Sequence, residues 1–258
     1  METAVTGTEP QQRSTVIRWT YAFIDRPAAA AGRAAAFWSA VTGTQVSTPW
    51  GERGEFTTLL PDGADACLAV QAVGGEGGAH PDLAVDDMAA FTAQALRLGA
   101  LEEARHPELT VLRSPGGQPF CVVPWRGQRA RPPVLTGPGG ATSRLDQLCL
   151  DVSPAAFDAE VAFWAALTGW DARPGDHREF HVLRPPEDLP VHLLVQRLVE
   201  PRRASAHLDL ACSDLVADRA LHEGLGAEFV RDGDGWTVMR DPAGGVYCLT
   251  GRDPVTGE

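Results

Sequence analysis

The sequence predicts an α+β protein of two tandem domains, each a pair of βαβββ modules with mixed, half-open sheets and outer helices. Three observations carry the prediction. The chain repeats itself at an offset of about 126 residues, both copies give the same order of strand and helix signals, and matched helices stop at matched glycines. At that offset Phe37-Trp38 falls on Phe163-Trp164 and Thr42-Gly43 on Thr168-Gly169, while Glu55-Phe56 meets Glu179-Phe180 after a two-residue slip. Further on, Ala79-His80-x-Asp82-Leu83-Ala84 meets Ala206-His207-x-Asp209-Leu210-Ala211, and Leu98-Gly99-Ala100 meets Leu225-Gly226-Ala227. Ser114-Pro115-x-Gly117 with Cys121 meets Asp241-Pro242-x-Gly244 with Cys248. Two copies of this length are too large for solenoid repeats and imply two small domains packed about a pseudo-twofold axis.

Residues 1–14 are polar and read as disordered. Ile17 to Ile24 alternates as a strand, and Arg33 to Val41 has the apolar spacing of a helix ended by Gly43. Short strands are expected near Gln45, at Glu55 to Leu60 and at Cys67 to Val73. A strand from His80 to Val85, a helix from Met88 to Leu98 and strands around Thr110 and Phe120 to Pro124 complete the first copy. The second repeats the order: strand Leu145 to Val152, helix Phe157 to Leu167, strands Phe180 to Leu183 and His192 to Leu198, strand His207 to Cys212, helix Leu215 to Glu223, and strands near Thr237 and at Val246 to Leu249. The expected domains are 15–125 and 143–252, joined by a Pro-, Gly- and Arg-rich linker over 126–142.

Composition is that of an ordinary globular protein, with 44% hydrophobic and 22% charged residues. A net charge of −12 argues against nucleic acid or an anionic membrane surface as partner, because phosphate binding needs a concentrated basic face. The first residues lack the basic start and apolar stretch of a signal peptide, and no apolar run approaches a membrane span, so a cytoplasmic location is expected. Five cysteines without CxxC spacing give neither a disulfide framework nor a zinc-finger pattern.

Four local motifs stand in order: Leu145-Asp146-Gln147-Leu148-x-Leu150-x-Val152, Phe163-Trp164-x-x-Leu167-x-Gly169-Trp170, His207-Leu208-x-Leu210 and Asp241-Pro242-x-Gly244. Together they resemble the vicinal oxygen chelate superfamily of glyoxalases, extradiol dioxygenases and fosfomycin- and bleomycin-resistance proteins, and within it a tandem-domain glyoxalase-like branch. The resemblance implies that paired modules curl into a cup. It places metal ligands on the opening strand (Tyr21 or Gln147), at the His-x-x-Leu strand (His80 or His207) and on the closing strand (Cys121 or Cys248). It also implies that the opening-strand ligand faces the partner's cup, giving the composite sets Gln147 with His80 and Cys121, and Tyr21 with His207 and Cys248. The family's closing-strand glutamate is replaced by cysteine in both copies. Hard divalent ions want oxygen ligands, so no cofactor is expected. A divalent metal held by Gln147, His80 and Cys121 is the alternative.

Other features point to an organic ligand. His80 and His207 are matched candidates for acid or base, although a strand-end histidine also serves by bonding nearby backbone. His192, matched to Cys67, is placed to point into the second cup, while Gln71 and Gln196 are matched candidates for hydrogen-bonding a ligand. Cys121 and Cys248 sit in apolar runs where free cysteine behaves as a small buried hydrophobe. His177, Glu179 and His181 share a strand face by period two, read as a solvated face, with a metal-binding or acid–base cluster as the alternatives. The Gly74 to Gly78 segment lacks the lysine and helix of a phosphate loop and reads as a hairpin.

Trp38 and Trp164 read as core, whereas Trp19, Tyr21, Trp50, Trp170 and Trp236 are candidates for lining a cup. Trp19 and Tyr21 are expected to cross over and wall the second cup. The resulting expectation is a small-molecule enzyme of isomerase, cyclase or lyase type, independent of metal, acting on a hydrophobic or aromatic metabolite, with His207, His192 and His80 as catalytic candidates. A sequestering drug-resistance protein and a metal-dependent lyase or dioxygenase are the alternatives. A monomer or homodimer is expected.

Overall fold

The computed structural model describes residues 16–186 and 189–257. The expectation of a disordered segment over residues 1–14 lies outside the described residues. The first half contains β1 (Ile17–Pro27), α1 (Ala28–Thr42), β2 (Gln45–Val46), β3 (Phe56–Leu60), β4 (Leu68–Val73), β5 (Gly78–Val85), α2 (Met88–Arg97), β6 (Leu101–His106), β7 (Leu109–Arg113) and β8 (Pro119–Pro124). A short β9 (Leu135–Thr136) leads into the second half. There follow β10 (Thr142–Val152), α3 (Phe157–Thr168), β11 (Asp171–Pro174), β12 (Phe180–Arg184), β13 (His192–Arg197), β14 (Ser205–Cys212), α4 (Leu215–Gly224), β15 (Glu228–Asp232), β16 (Trp236–Arg240) and β17 (Val246–Thr250).

Each half forms one mixed sheet, and the two orders correspond strand for strand. The first runs β2-β3-β4-β1-β5-β8-β7-β6 and the second β11-β12-β13-β10-β14-β17-β16-β15, with β9 added beside β10. In each, the two opening strands of the modules pair antiparallel at the centre, β1 with β5 and β10 with β14. The outer strands β6 and β15 were not anticipated, because their exposed, charged sequences carry no apolar alternation. The glycine stops are as expected: Gly43 and Gly169 take φ of 62° and 68°, a left-handed geometry that a Cβ disfavours. Asp87 and Asp214 cap α2 and α4 by accepting backbone N–H bonds at the first turn.

Along β1 and β10 alternate residues serve two environments. Ala22 and Ile24, with Leu148, Leu150 and Val152, enter a core shared by both halves. The opposite face carries Tyr21, Phe23 and Asp25, and in the second copy Gln147, Cys149 and Asp151.

Reciprocal contacts lock the halves together. Trp38 of α1 donates its indole N–H to Asp241 Oδ2 at 3.1 Å, and Arg26 reaches the same oxygen at 2.7 Å. On the other side Trp164 of α3 donates to Glu160 Oε1 at 2.8 Å, and Ser114 and the Gly116 amide bond the same carboxylate. Thus a buried carboxylate meets the helix tryptophan in both copies, supplied by the β16–β17 turn in one and by the helix itself in the other. Among the described residues no helix is long and apolar enough to cross a membrane.

Candidate functional site

Pairing registers assemble the same polar cluster on the open face of each sheet. In the first, Phe23 stands opposite His80, Tyr21 opposite Asp82, and Asp82 opposite Cys121. In the second, Cys149 stands opposite His207, Gln147 opposite both His192 and Asp209, and Asp209 opposite Cys248. The histidine sits between two aspartates in both. His80 Nδ1 lies 2.8 Å from Asp25 Oδ2 and its Nε2 3.3 Å from Asp82 Oδ1, while His207 Nδ1 lies 3.2 Å from Asp151 Oδ2 and its Nε2 3.4 Å from Asp209 Oδ1.

The two clusters differ in what covers the imidazole. Phe23 stacks on His80, ring centres 5.1 Å apart and 17° from parallel. Cys149 occupies that place beside His207, a far smaller side chain whose sulfur contacts Gln196 Oε1 at 3.6 Å. The mouth of the second cup carries its own aromatics. Phe180 of β12 and Trp236 of β16 meet edge to face at 5.6 Å although four strands separate them in the sheet, so the sheet curls, and His177 packs against both.

Burial and neighbouring charge set the protonation. Burial opposes the charged form of His207, but Cys149 and the Asp151 carboxylate outweigh it and hold the imidazole well above its usual range. His80 is raised likewise against burial, chiefly by Asp25. Asp151, despite burial, is lowered by the imidazolium and by Arg202. Burial pushes Asp209 up to about 6, against the pull of His207. His192 is driven down to about 3 by burial and then by Arg131, Arg252, Arg184 and Arg144, so it is neutral. Burial pushes Cys121 up to about 12 and raises Cys248.

These placements correct several expectations. Gln147 lies in the second sheet whereas His80 and Cys121 lie in the first, so the composite set Gln147, His80 and Cys121 is split, as is Tyr21 with His207 and Cys248. Within each sheet the registers instead align Tyr21, Asp82 and Cys121, or Gln147, Asp209 and Cys248. Trp19 and Tyr21 do not wall the second cup. Trp19 is buried in the first half with its indole bonded to Ala66 O at 2.9 Å, and Tyr21 faces the first cup. His177, Glu179 and His181 share no face either, since His177 lies in the turn before β12 and His181 meets Phe157 of α3. Gln71 and Gln196 do face their cups, in register with Asp25 and Asp151.

The sequence reading missed the aspartates as site residues. Asp25 and Asp151 are matched at the same 126-residue offset as the tryptophans, and Asp82 and Asp209 follow each histidine by two, the strand period that keeps them on its face. That periodicity was the available signal. A carboxylate thus lies beside each histidine, while the closing strands carry Cys121 and Cys248. His, Asp and Cys donor atoms lie within 4.8 Å of one another at His80, Asp82 and Cys121, and again at His207, Asp209 and Cys248. The buried Asp82 Oδ1 and Asp209 Oδ1 accept no hydrogen bond.

The profile of the glyoxalase-like domain matches residues 21–123 and again 147–250. No curated protein sequence matches. Among solved structures, the chain is similar to the Mn(II)-bound glyoxalase from Novosphingobium aromaticivorans, at 19% identity and a TM-score of 0.61 over 89% of this chain and 80% of that one. It is similar also to a 2,3-dioxygenase from Pseudomonas sp. KL28, at 13% identity and TM-score 0.60 over 89% and 90%. A variant of homoprotocatechuate 2,3-dioxygenase from B. fuscum in complex with HPCA gives 13% identity and TM-score 0.60 over 97% and 75%. Similarity at these identities is one of fold.

Proposed function

The chain belongs to the glyoxalase-like domain family, in two copies, and from that premise we propose that its second cup binds a small aromatic or apolar molecule and moves a proton on it. The observation that carries this reading is the exchange of Phe23 for Cys149: the first imidazole is stacked beneath a phenyl ring, whereas the second has only a small thiol side chain at the matched place. Phe180 and Trp236 at the mouth supply flat apolar surface for such a ligand, and Gln147 and Gln196 supply hydrogen bonds that orient it.

Two neighbouring groups with separated proton affinities suit isomerase- or lyase-type chemistry. Asp209, with its affinity near neutral pH, takes a proton from a carbon beside a carbonyl, and the His207 imidazolium donates one to the carbonyl oxygen. Return of the Asp209 proton at a different carbon, with His207 taking back the proton it lent to the oxygen, completes an isomerisation and restores both groups. Asp151 positions His207 by accepting from Nδ1–H. His192, neutral at working pH, acts here as a hydrogen-bonding group. Titrating tryptophan fluorescence with aromatic carbonyl compounds, in the wild type and in His207→Ala, His192→Ala and His80→Ala, tests the reading. Loss of binding or turnover only with His80→Ala would move the site to the first cup.

A second reading has its own support, the unbonded Asp209 Oδ1. His207 Nε2, Asp209 Oδ1 and Cys248 fit a divalent ion of zinc type, with Asp151 fixing the imidazole from behind as carboxylates do for metal-bound histidine. Such an ion would supply a Lewis acid for a substrate oxygen. Elemental analysis of the purified protein separates the readings: stoichiometric metal lost in Asp209→Asn supports the metal site, and its absence with turnover retained supports proton transfer by side chains alone.

A further inference from the structure

We propose that the junction between the two halves holds a buried oxyanion site, formed by Arg131 and Arg144 and backed by Arg252, which takes the carboxylate of a ligand seated in the second cup. The proposal rests on the reading of that cup given above and names its substrate class as an aromatic or apolar carboxylate.

Three segments converge there. The linker brings Arg131, the start of β10 brings Arg144, and the chain after β17 brings Arg252. Arg252 grips the fully buried Asp146 through Nη1 and Nη2 at 2.9 and 2.8 Å, so both oxygens of that carboxylate are taken. Arg144 Nη2 donates to Val255 O at 2.8 Å, a neutral acceptor. Arg131 Nε, Arg131 Nη2 and Arg144 Nε are buried and have no hydrogen-bond partner. The other nearby carboxylate, Asp253, is exposed, and its Oδ1 already accepts from the Val255 and Thr256 amides. Three guanidinium groups thus share one neighbourhood with the buried Asp146, which Arg252 already holds, and the exposed Asp253, which acts on Arg144 and not on Arg131. Burial lowers both Arg131 and Arg144, and Arg144 is lowered further by Arg131.

Buried cationic N–H groups without acceptors are costly, and a guanidinium fork matches a planar carboxylate. Space lies beside Arg144, which helps line a cavity with Cys67, Pro132, Pro133, Ser143 and Leu145, Pro132 being next in the chain to Arg131. The junction also adjoins the second cup. A Cβ built on Gly257 would lie 3.3 Å from Asp146 Oδ2 and 3.4 Å from His192 Cε1, and His192 stands in the cup's row with Gln147 and Asp209. Asp146, held by Arg252, and His192 of the cup thus lie against the same Gly257, which sets the arginine cluster next to that row.

The test is calorimetric titration of the intact protein with 2-naphthoate, with its uncharged analogue 2-naphthamide, and with sulfate. The wild type is expected to bind naphthoate about tenfold more tightly than naphthamide, with sulfate competing only against naphthoate. Arg131→Gln and Arg144→Gln are expected to erase that preference and leave naphthamide within about twofold. If the amide binds and both variants keep the naphthoate preference, the oxyanion site is overturned while the cup reading stands. If sulfate raises the thermal midpoint of the wild type but not of the variants, and neither aromatic binds, the anion is inorganic; the organic carboxylate and the cup reading then both fail. Without ligand the glutamine variants should fold with an unchanged or higher thermal midpoint, since they remove an unpaired buried charge. A lower midpoint in both would show the charge already compensated and would overturn the proposal.

Discussion

Asp209 Oδ1 lies 3.4 Å from His207 Nε2, two residues away on the same strand face, and accepts no hydrogen bond. Burial pushes this carboxyl up to about 6, placing its proton exchange within reach of neutral pH. Asp209→Asn is expected to lower turnover by about 10²–10⁴-fold with the fold intact by circular dichroism. In the wild type, the rate should fall as pH drops through about 6, because the carboxylate form is the base. A rate that stays level through that range would remove Asp209 from the proposed role.

Cys149→Phe should convert the second cup into a copy of the first. The new ring would stack on His207 as Phe23 does on His80, so ligand affinity is expected to drop by about tenfold or more. Equal affinity in mutant and wild type, measured by fluorescence titration, would show that the small side chain beside His207 is irrelevant.

The latch between halves has a separate prediction. Asp241→Ala leaves the nearly buried Arg26 guanidinium and the Trp38 indole N–H without their shared acceptor. Such a broken buried pair costs about 3–5 kcal/mol, which chemical denaturation should detect. Near-neutral stability would mean that Arg26 finds another partner.

His222 predicts acid sensitivity remote from the cups. It is fully buried beside Tyr247, its ring nitrogen Nδ1 2.8 Å from the hydroxyl, and burial lowers it to about 4. The unfolded chain takes up the proton near pH 6.5 and the folded one only near pH 4, so stability is lost as pH falls between those values. The loss is on the order of 3 kcal/mol, and His222→Gln should flatten that part of the stability–pH curve. An unchanged curve would locate the acid-sensitive group elsewhere.

The repeat and its order made the architecture legible, because matched tryptophans, glycines and strand patterns each answer to a local physical need. Strands β6 and β15 escaped, since edge strands exposed to solvent need no apolar alternation. The polar clusters were half legible: His80 and His207 stood out by their matching, whereas Asp25 and Asp151 lie far away in the chain and reach the histidines only through antiparallel register. Sequence spacing likewise does not say which sheet a strand joins. The pairing of Gln147 with His80, and the crossing of Trp19 and Tyr21 to the second cup, follow from the family resemblance and not from spacing, and the sheet order separates them. The arginine cluster brings Arg252 to Arg131 and Arg144, more than a hundred residues earlier in the chain, and so carries no local pattern.

The central claim is that the second cup alone is competent, and the stoichiometry of ligand binding tests it most directly. Calorimetric titration of 2-naphthamide into the wild type, His207→Gln and His80→Gln should give one site per chain, lost with the His207 change and kept with the His80 change. Two sites per chain, or one site that survives His207→Gln and disappears with His80→Gln, would contradict it.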